Sequence, residues 1–172
     1  YELVFGCDRA NTMKGSLTIR GGTAVLAGSA SFKNVTEINV ENGASFDIQS
    51  SAEAAFEKME TLSVASGAKF VLSPEVVNPF TDGRFDIVAA ADSEITVPEG
   101  VVISCKSFRL GATYVAGAAG YYTGSDNPSP GAAKKLSCLR GKGLVYVPER
   151  GFACTWLGGG GKWSDETKWK NG

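Results

Sequence analysis

"FKNVTEINVENGASFDI", Phe32 to Ile48, lies over "FEKMETLSVASGAKFVL", Phe56 to Leu72, at an offset of 24 residues. Phe32 meets Phe56, Val35 meets Met59, Ile38 meets Leu62, Val40 meets Val64, Gly43-Ala44 meets Gly67-Ala68, Phe46 meets Phe70, and Ile48 meets Leu72. Apolar and glycine columns agree while the residues between them differ. Self-similarity of this kind at a fixed period of 20 to 50 residues marks a solenoid. The frame continues upstream through Leu17, Ile19, Gly22, Val25 and Ala27, and downstream through Ile95, Val97, Gly100 and Ile103. A blurred version falls at Leu144, Tyr146 and Gly151. Gly22, Gly43, Gly67 and Gly100 are spaced by 21, 24 and 33 residues, a unit length that suits one stacked coil with insertions entering as loops.

Each unit reads apolar-x-apolar, a short turn, then apolar-x-apolar. Period-two alternation puts Ile38 and Val40 on one face of a strand, and Phe46 and Ile48 on one face of the next. Glycine at the corner permits the positive φ of a tight bend. Two short strands per turn, each stacked on its counterpart one coil later, make parallel sheets around a shared apolar interior. The fold expected is all-β: a single-stranded parallel β-helix of roughly four to six coils, right-handed because parallel crossovers favour that hand. "SSAEAAFEKME" has a capping-box look, Ser50 with Glu53. Alignment of Phe56 and Met59 with Phe32 and Val35 leaves at most a short helical turn near Ala52 to Ala55. Residues 1–154 therefore form the solenoid, with an irregular Gly/Ser/Pro-rich loop at about 111–135, and residues 155–172 form a Trp/Gly-rich junction or cap.

Bulk properties narrow the function. With 172 residues, the chain is long enough for one domain with a sizeable core. Seventeen Lys+Arg against eighteen Asp+Glu give a formal charge of −1 without a basic run, which argues against nucleic acid as a partner. No apolar stretch approaches the ~20 residues of a membrane-spanning helix. A start at Tyr1 reads as a processed or excised piece. Histidine is absent, which removes the commonest general base and metal ligand. Successive coils align Asp47 with Val71 and Glu41 with Ala65, and Glu37 meets Glu60 only after a one-residue slip, so no column of acids forms. Asp82, Asp86 and Asp92 fall in an irregular insertion, "FTDGRFDIVAAADSE", as solvated loop acids or a calcium site. "GGGGKW" lacks the hydroxyl residue after Lys162 that a phosphate loop needs. No cofactor is expected.

Four cysteines, Cys7, Cys105, Cys138 and Cys154, show no CxxC spacing. They are either isolated buried thiols or bridged in an oxidising compartment. At least one disulfide among Cys105, Cys138 and Cys154 is expected, because the 33 residues from Cys105 to Cys138 repeat the longest coil spacing. Cys7 stays free or bridges between chains. In the irregular loop, Tyr114, Tyr121 and Tyr122 either pin the loop to the solenoid flank or stack on a sugar.

All three tryptophans fall in "TWLGGGGKWSDETKWKNG" at the end of the chain. This stretch resembles the W-x-G-G-x-G-x-W-S-D-x-x-x-W pattern that opens autotransporter-associated β-strand repeats. The match covers Trp156, Gly158, Gly159, Gly161, Trp163, Ser164, Asp165 and Trp169, with Lys168 where that family commonly has Asn. The resemblance implies a passenger-type β-helix in a secreted or cell-surface bacterial protein, structural or adhesive, without shared catalytic residues. The expected role is a non-enzymatic module that builds a stalk, filament or adhesin. A carbohydrate-binding module that engages surface glycans is the alternative, and a polysaccharide-active enzyme the third.

A solenoid leaves its first and last coils as open edges. "YELVF" reads as a bare strand with Tyr1, Leu3 and Phe5 on one face. The expectation is end-to-end association, in which Trp156, Trp163 and Trp169 of one copy or module meet the N-terminal coil of the next. A C-terminal segment folded back as a cap is the rival.

Overall fold

The computed structural model describes residues 1–6, 13–52, 55–76, 79–80, 83, 85–111, 113–114, 119–148, 154–156 and 169–171, of which 113–114, 154–156 and 169–171 are described by backbone only. Nine strands build the stack: β1 (Glu2–Phe5), β2 (Gly15–Ile19), β3 (Thr23–Leu26), β4 (Val35–Val40), β5 (Ser45–Ile48), β6 (Thr61–Val64), β7 (Lys69–Leu72), β8 (Asp86–Ala89) and β9 (Glu94–Thr96). Nine more finish the chain: β10 (Val102–Ser104), β11 (Ser107–Leu110), β12 (Thr113–Tyr114), β13 (Gly120–Gly124), β14 (Lys134–Leu136), β15 (Leu139–Arg140), β16 (Leu144–Val147), β17 (Cys154–Trp156) and β18 (Trp169–Asn171). No helix occurs among the described residues.

The odd strands up to β9 stack with β15 as one six-stranded sheet, β1-β3-β5-β7-β9-β15 (the odd sheet), and the even strands up to β8 stack with β11 and β12 as another, β2-β4-β6-β8-β11-β12 (the even sheet). The result is a β-solenoid of about 4 turns. Its register follows the 24-residue offset: Ile38 pairs with Leu62, Val40 with Val64, Phe46 with Phe70, and Ile48 with Leu72, all in parallel. Each of these eight side chains is at most 1% exposed, so the columns face inward and form the core. Corners repeat as well. Ala44 N–H donates to Glu41 O at 3.0 Å and Ala68 N–H to Ala65 O at 3.1 Å, around Gly43 and Gly67 with φ of 71° and 65°. Those angles lie in the left-handed region that side-chain-bearing residues disfavour.

A third wall comes from Phe32, Phe56 and Phe80. Phe32 N–H donates to Ala55 O at 2.8 Å, Phe56 N–H to Pro79 O at 2.9 Å, and Phe56 and Phe80 form a parallel bridge. Of the short helical turn expected near Ala52 to Ala55, the two end residues are not helical and residues 53–54 lie outside the described residues. Ring centroids along the axis are 6.3 Å apart for Phe32–Phe56, 5.4 Å for Phe56–Phe80 and 6.0 Å for Phe46–Phe70. Tilted and edge contacts at such separations add attraction beyond burial alone.

Three expectations need correction. Upstream, Ala24 and Leu26, not Val25 and Ala27, pair with Phe46 and Ile48. The strand starts directly after Gly22, whereas Ala44 intervenes after Gly43, so the corner is one residue shorter. Downstream, the fourth coil is Ile87 and Ala89 followed by Ile95, which pair with Leu62, Val64 and Phe70. It was hidden because Asp92 stands at the corner where earlier coils have glycine. Ser93 N–H nevertheless donates to Ala90 O at 3.2 Å in the same turn, its hydroxyl donates to the same oxygen at 2.8 Å, and Ser66 Oγ donates to Asp92 Oδ2 at 2.6 Å. The "irregular insertion" thus contains β8. Likewise the stretch expected as a loop, 111–135, holds β13, which pairs antiparallel with β16.

The two ends of the stack differ. At the far end the even sheet stops in an antiparallel pair, Leu110 opposite Thr113, and a four-stranded sheet, β10-β16-β13-β14, packs there. At the near end, β1 pairs with β3 on one side only and is the edge of its sheet. Later in the chain, β17 and β18 form an antiparallel pair that sets Trp156 opposite Trp169. Trp163 lies outside the described residues.

Candidate functional surfaces

Outward-facing positions follow from the same register. On the even sheet one row runs Ser16, Glu37, Thr61, Asp86, Ser107 and the next Thr18, Asn39, Ser63, Val88, Arg109. Carboxylates alternate with hydroxyls along the first row. Polar groups satisfy each other between rungs: Asn39 Nδ2 donates to Ser16 Oγ at 3.0 Å, Lys58 Nζ to Asn34 Oδ1 at 2.9 Å, and Ser107 Oγ to Asp86 Oδ1. Glu37 sits opposite Thr61, so Glu60 falls out of the row. A groove of about 590 Å³ lies nearby, lined by Thr36, Glu57, Glu60, Asp86, Lys58 and Lys106. Acids and lysines are mixed there, and no cluster of three metal-ligating side chains occurs among the described residues. Asp86 and Asp92, read as loop acids, are each held by a serine on the neighbouring rung. Asp82 lies outside the described residues.

Exposed large apolar side chains fall in two places among the described residues. One is the N-terminal edge, where Tyr1 is 97%, Leu3 56% and Val4 53% exposed. Leu3 and Phe5 stand over Ala24 and Leu26, the inward positions of β3, so β1 carries the interior columns one rung further. Phe5 is already engaged, its ring 5.1 Å from that of Phe32. Tyr1, Leu3 and Phe5 thus share one edge as expected, although only the first two stand in solvent. No described strand covers the outer edge of β1, which leaves its backbone groups open to a partner.

The second place is the four-stranded sheet, where Val102 and Tyr121 are each 48% exposed. Of the tyrosines expected to act together, the structure separates the neighbours. Tyr122 points inward at 2% exposure beside Val145, with Lys134 Nζ 5.8 Å from its ring centroid, so it offers no free face to a sugar. Tyr121 points outward and packs against Tyr146, centroids 4.9 Å apart. The side chain of Tyr114 lies outside the described residues. Tyr146 was not singled out from the sequence as an aromatic partner. The signal was there in the alternation of "LVYV", which puts Leu144 and Tyr146 on one face.

Cys105 and Cys138 are free thiols, both buried, so the bridge suggested by their spacing does not form. The spacing misleads because the two sit in different sheets. Cys105 follows β10 and its thiol donates to Tyr146 O at 3.6 Å, whereas Cys138 precedes β15, its carbonyl accepting from Ile95 N–H at 2.8 Å. Cys7 and the side chain of Cys154 lie outside the described residues.

Burial pushes the Cys105 thiol up to about 12, with the Asp86 carboxylate adding to the effect. Burial pushes Cys138 to about 11, against the opposing pull of its own backbone and Arg140. The folded state therefore holds these protons more tightly than the unfolded chain, whose thiols titrate near the ordinary 9.0. Stability from this source is complete below that value and is lost as pH rises towards 11 and 12. At neutral pH neither thiol is a nucleophile. Iodoacetamide should leave both unlabelled in the folded protein and label both after unfolding in urea. Rapid labelling of the native chain would show that the thiols are not buried as described.

No protein-family model matches this chain, and neither a curated protein nor a solved structure matches it.

Proposed function

We propose that this chain is a non-enzymatic structural module of a secreted or cell-surface bacterial β-solenoid protein, joined end to end with further copies or modules into a stalk, filament or adhesin. The observation that carries the reading is the open edge β1, with Tyr1, Leu3 and Val4 in solvent on a strand paired on one side only. A six-strand parallel sheet ending in a bare rung is a template for one more strand. The mixed hydroxyls and unpaired carboxylates of the outward rows support a scaffold rather than a glycoside hydrolase, most families of which use two acids at a fixed separation. The tryptophan-glycine resemblance to autotransporter-associated repeats points to the same class and to an extracellular setting.

Because the far end of the even sheet closes in an antiparallel pair, coil-on-coil continuation of both sheets is unavailable there. The junction therefore falls to residues 155–172, where Trp156, Trp163 and Trp169 lie, docking on β1 of the next copy. Such a contact is heterologous and does not close on itself. Sedimentation of the intact chain should show species larger than a monomer. Deleting 155–172, or placing a charge on the edge by Leu3→Glu, should each return it to monomer. An intact chain that is already monomeric, or an assembly that survives both changes, would overturn the reading.

A further inference from the structure

We propose that the outer face of the four-stranded sheet binds a pyranose ring of a neutral glycan, with Tyr121 and Tyr146 as the stacking platform. One rung across this face runs Ser104, Tyr146, Tyr121, and the next runs Val102, Leu144, Thr123. None of these six carries a charge; the second rung reaches its first charge only at Lys135, beyond Thr123 on β14, so the platform beside the two rings suits a neutral ligand. The two tyrosine rings are 4.9 Å apart with planes 39° from parallel, and they form a shallow aromatic floor. Val102, 48% exposed, and half-buried Leu144 extend it. Thr123, the sixth position, is fully buried and engaged, donating to Gly143 O at 2.9 Å and accepting from Asn127 Nδ2 at 2.9 Å, so it fixes the sheet rather than facing a ligand.

Three properties of this floor suit a sugar. An aromatic face is apolar and matches the C–H face of a pyranose, while phenol groups and the exposed Ser104 hydroxyl supply donors and acceptors for the ring hydroxyls around it. Ser104 and Tyr121 stand two strand spacings apart, roughly 10 Å, so polar groups bracket the platform at the scale of a sugar unit. Tyr146, itself half-buried, holds Tyr121 in place before any ligand arrives, which lowers the ordering cost of binding. Size argues against a protein partner. The floor consists of four apolar side chains, far short of the roughly 20–30 residues a side in a stable protein interface. This face belongs to a different sheet from β1.

The test is a titration of the intact chain with cellohexaose, maltohexaose and chitohexaose, followed by NMR of the tyrosine rings. At about 10 mM sugar even a millimolar site is mostly filled. The expected result is a saturable shift of the Tyr121 and Tyr146 ring signals with at least one of the three. Tyr121→Ala should weaken binding by about tenfold or more, and Tyr121→Phe, which keeps the face, by no more than about threefold. Sedimentation should be the same for Tyr121→Ala as for the parent, since the substitution alters neither β1 nor the tryptophan segment. Silence with all three sugars would overturn the proposal, as would shifts that persist in Tyr121→Ala. A change of assembly state in that variant, without any sugar-induced shift, would assign the face to contact between copies instead.

Discussion

Replacement of Phe46 by alanine is expected to lower the unfolding free energy by about 3–5 kcal/mol, the range for emptying a fully buried aromatic site. Phe46 is 0% exposed, and its ring lies 6.4 Å from Phe32, 6.3 Å from Phe56 and 6.0 Å from Phe70. It therefore touches both the coil below and the coil above. Little relaxation is available to refill the space, because the backbone on either side is locked by parallel pairing: Ala24 on one rung and Phe70 on the next. Phe46→Leu should recover more than half of the loss by restoring most of the volume. Urea unfolding of the three proteins measures this directly. A cost under about 1 kcal/mol for the alanine variant would mean that the ring does not stand in a packed column.

Gly143→Ala should be nearly as damaging, for a reason that has nothing to do with helix or strand propensity. A Cβ at Gly143 would run into the Pro98 carbonyl oxygen, 2.5 Å from Val97 Cγ1 and 2.8 Å from Val97 O. The loop is held at that distance by three backbone bonds: Val97 N–H to Arg140 O at 3.0 Å, Gly143 N–H to Val97 O at 2.9 Å, and Leu144 N–H to Val101 O at 3.0 Å. To admit a methyl group the loop must lift off the last coil, at a cost of about 3 kcal/mol. Gly141→Ala adds a second penalty, since its φ is 84° and its Cβ would meet the Val97 carbonyl oxygen. Gly43→Ala serves as the comparison. That residue has φ of 71° but nothing within 4 Å of the new carbon, so only the backbone penalty of about 1–2 kcal/mol applies. The expected order of loss is Gly43, then Gly143, then Gly141. If Gly143→Ala costs no more than Gly43→Ala, the loop is free to move and does not clamp the four-stranded sheet to the solenoid.

What the chain shows without coordinates is the repeating interior. Ile38, Val40, Phe46 and Ile48 lie over Leu62, Val64, Phe70 and Leu72 in sequence, and the same pairs stack in the sheet. Legibility here has a simple cause. A parallel stack places the same inward positions directly above one another, so a periodic structure imposes a periodic selection for apolar side chains. Where a coil used a different device, the pattern faded. Asp92 closes its corner with Ser66 and Ser93 instead of glycine, and the fourth coil passed for an insertion.

The sequence by itself determined that Tyr121 and Tyr122 point opposite ways once they lie in a strand, because alternation fixes the relative phase. Only the tertiary structure decided which of them meets solvent. That choice depends on β13 pairing antiparallel with β16, a strand some twenty residues further on, whose Val145 and Val147 face the interior and whose Tyr146 faces out. The cysteines show the same division. Their number and spacing allow a bridge, but Cys105 and Cys138 flank strands, β10 and β15, that no local pattern assigns to different sheets, and a disulfide needs two sulfurs in one place. Periodicity reports what each residue does relative to its neighbours along the chain. Which surfaces remain after the sheets have closed is set by contacts between segments far apart in sequence, and the tyrosine face arises at that level.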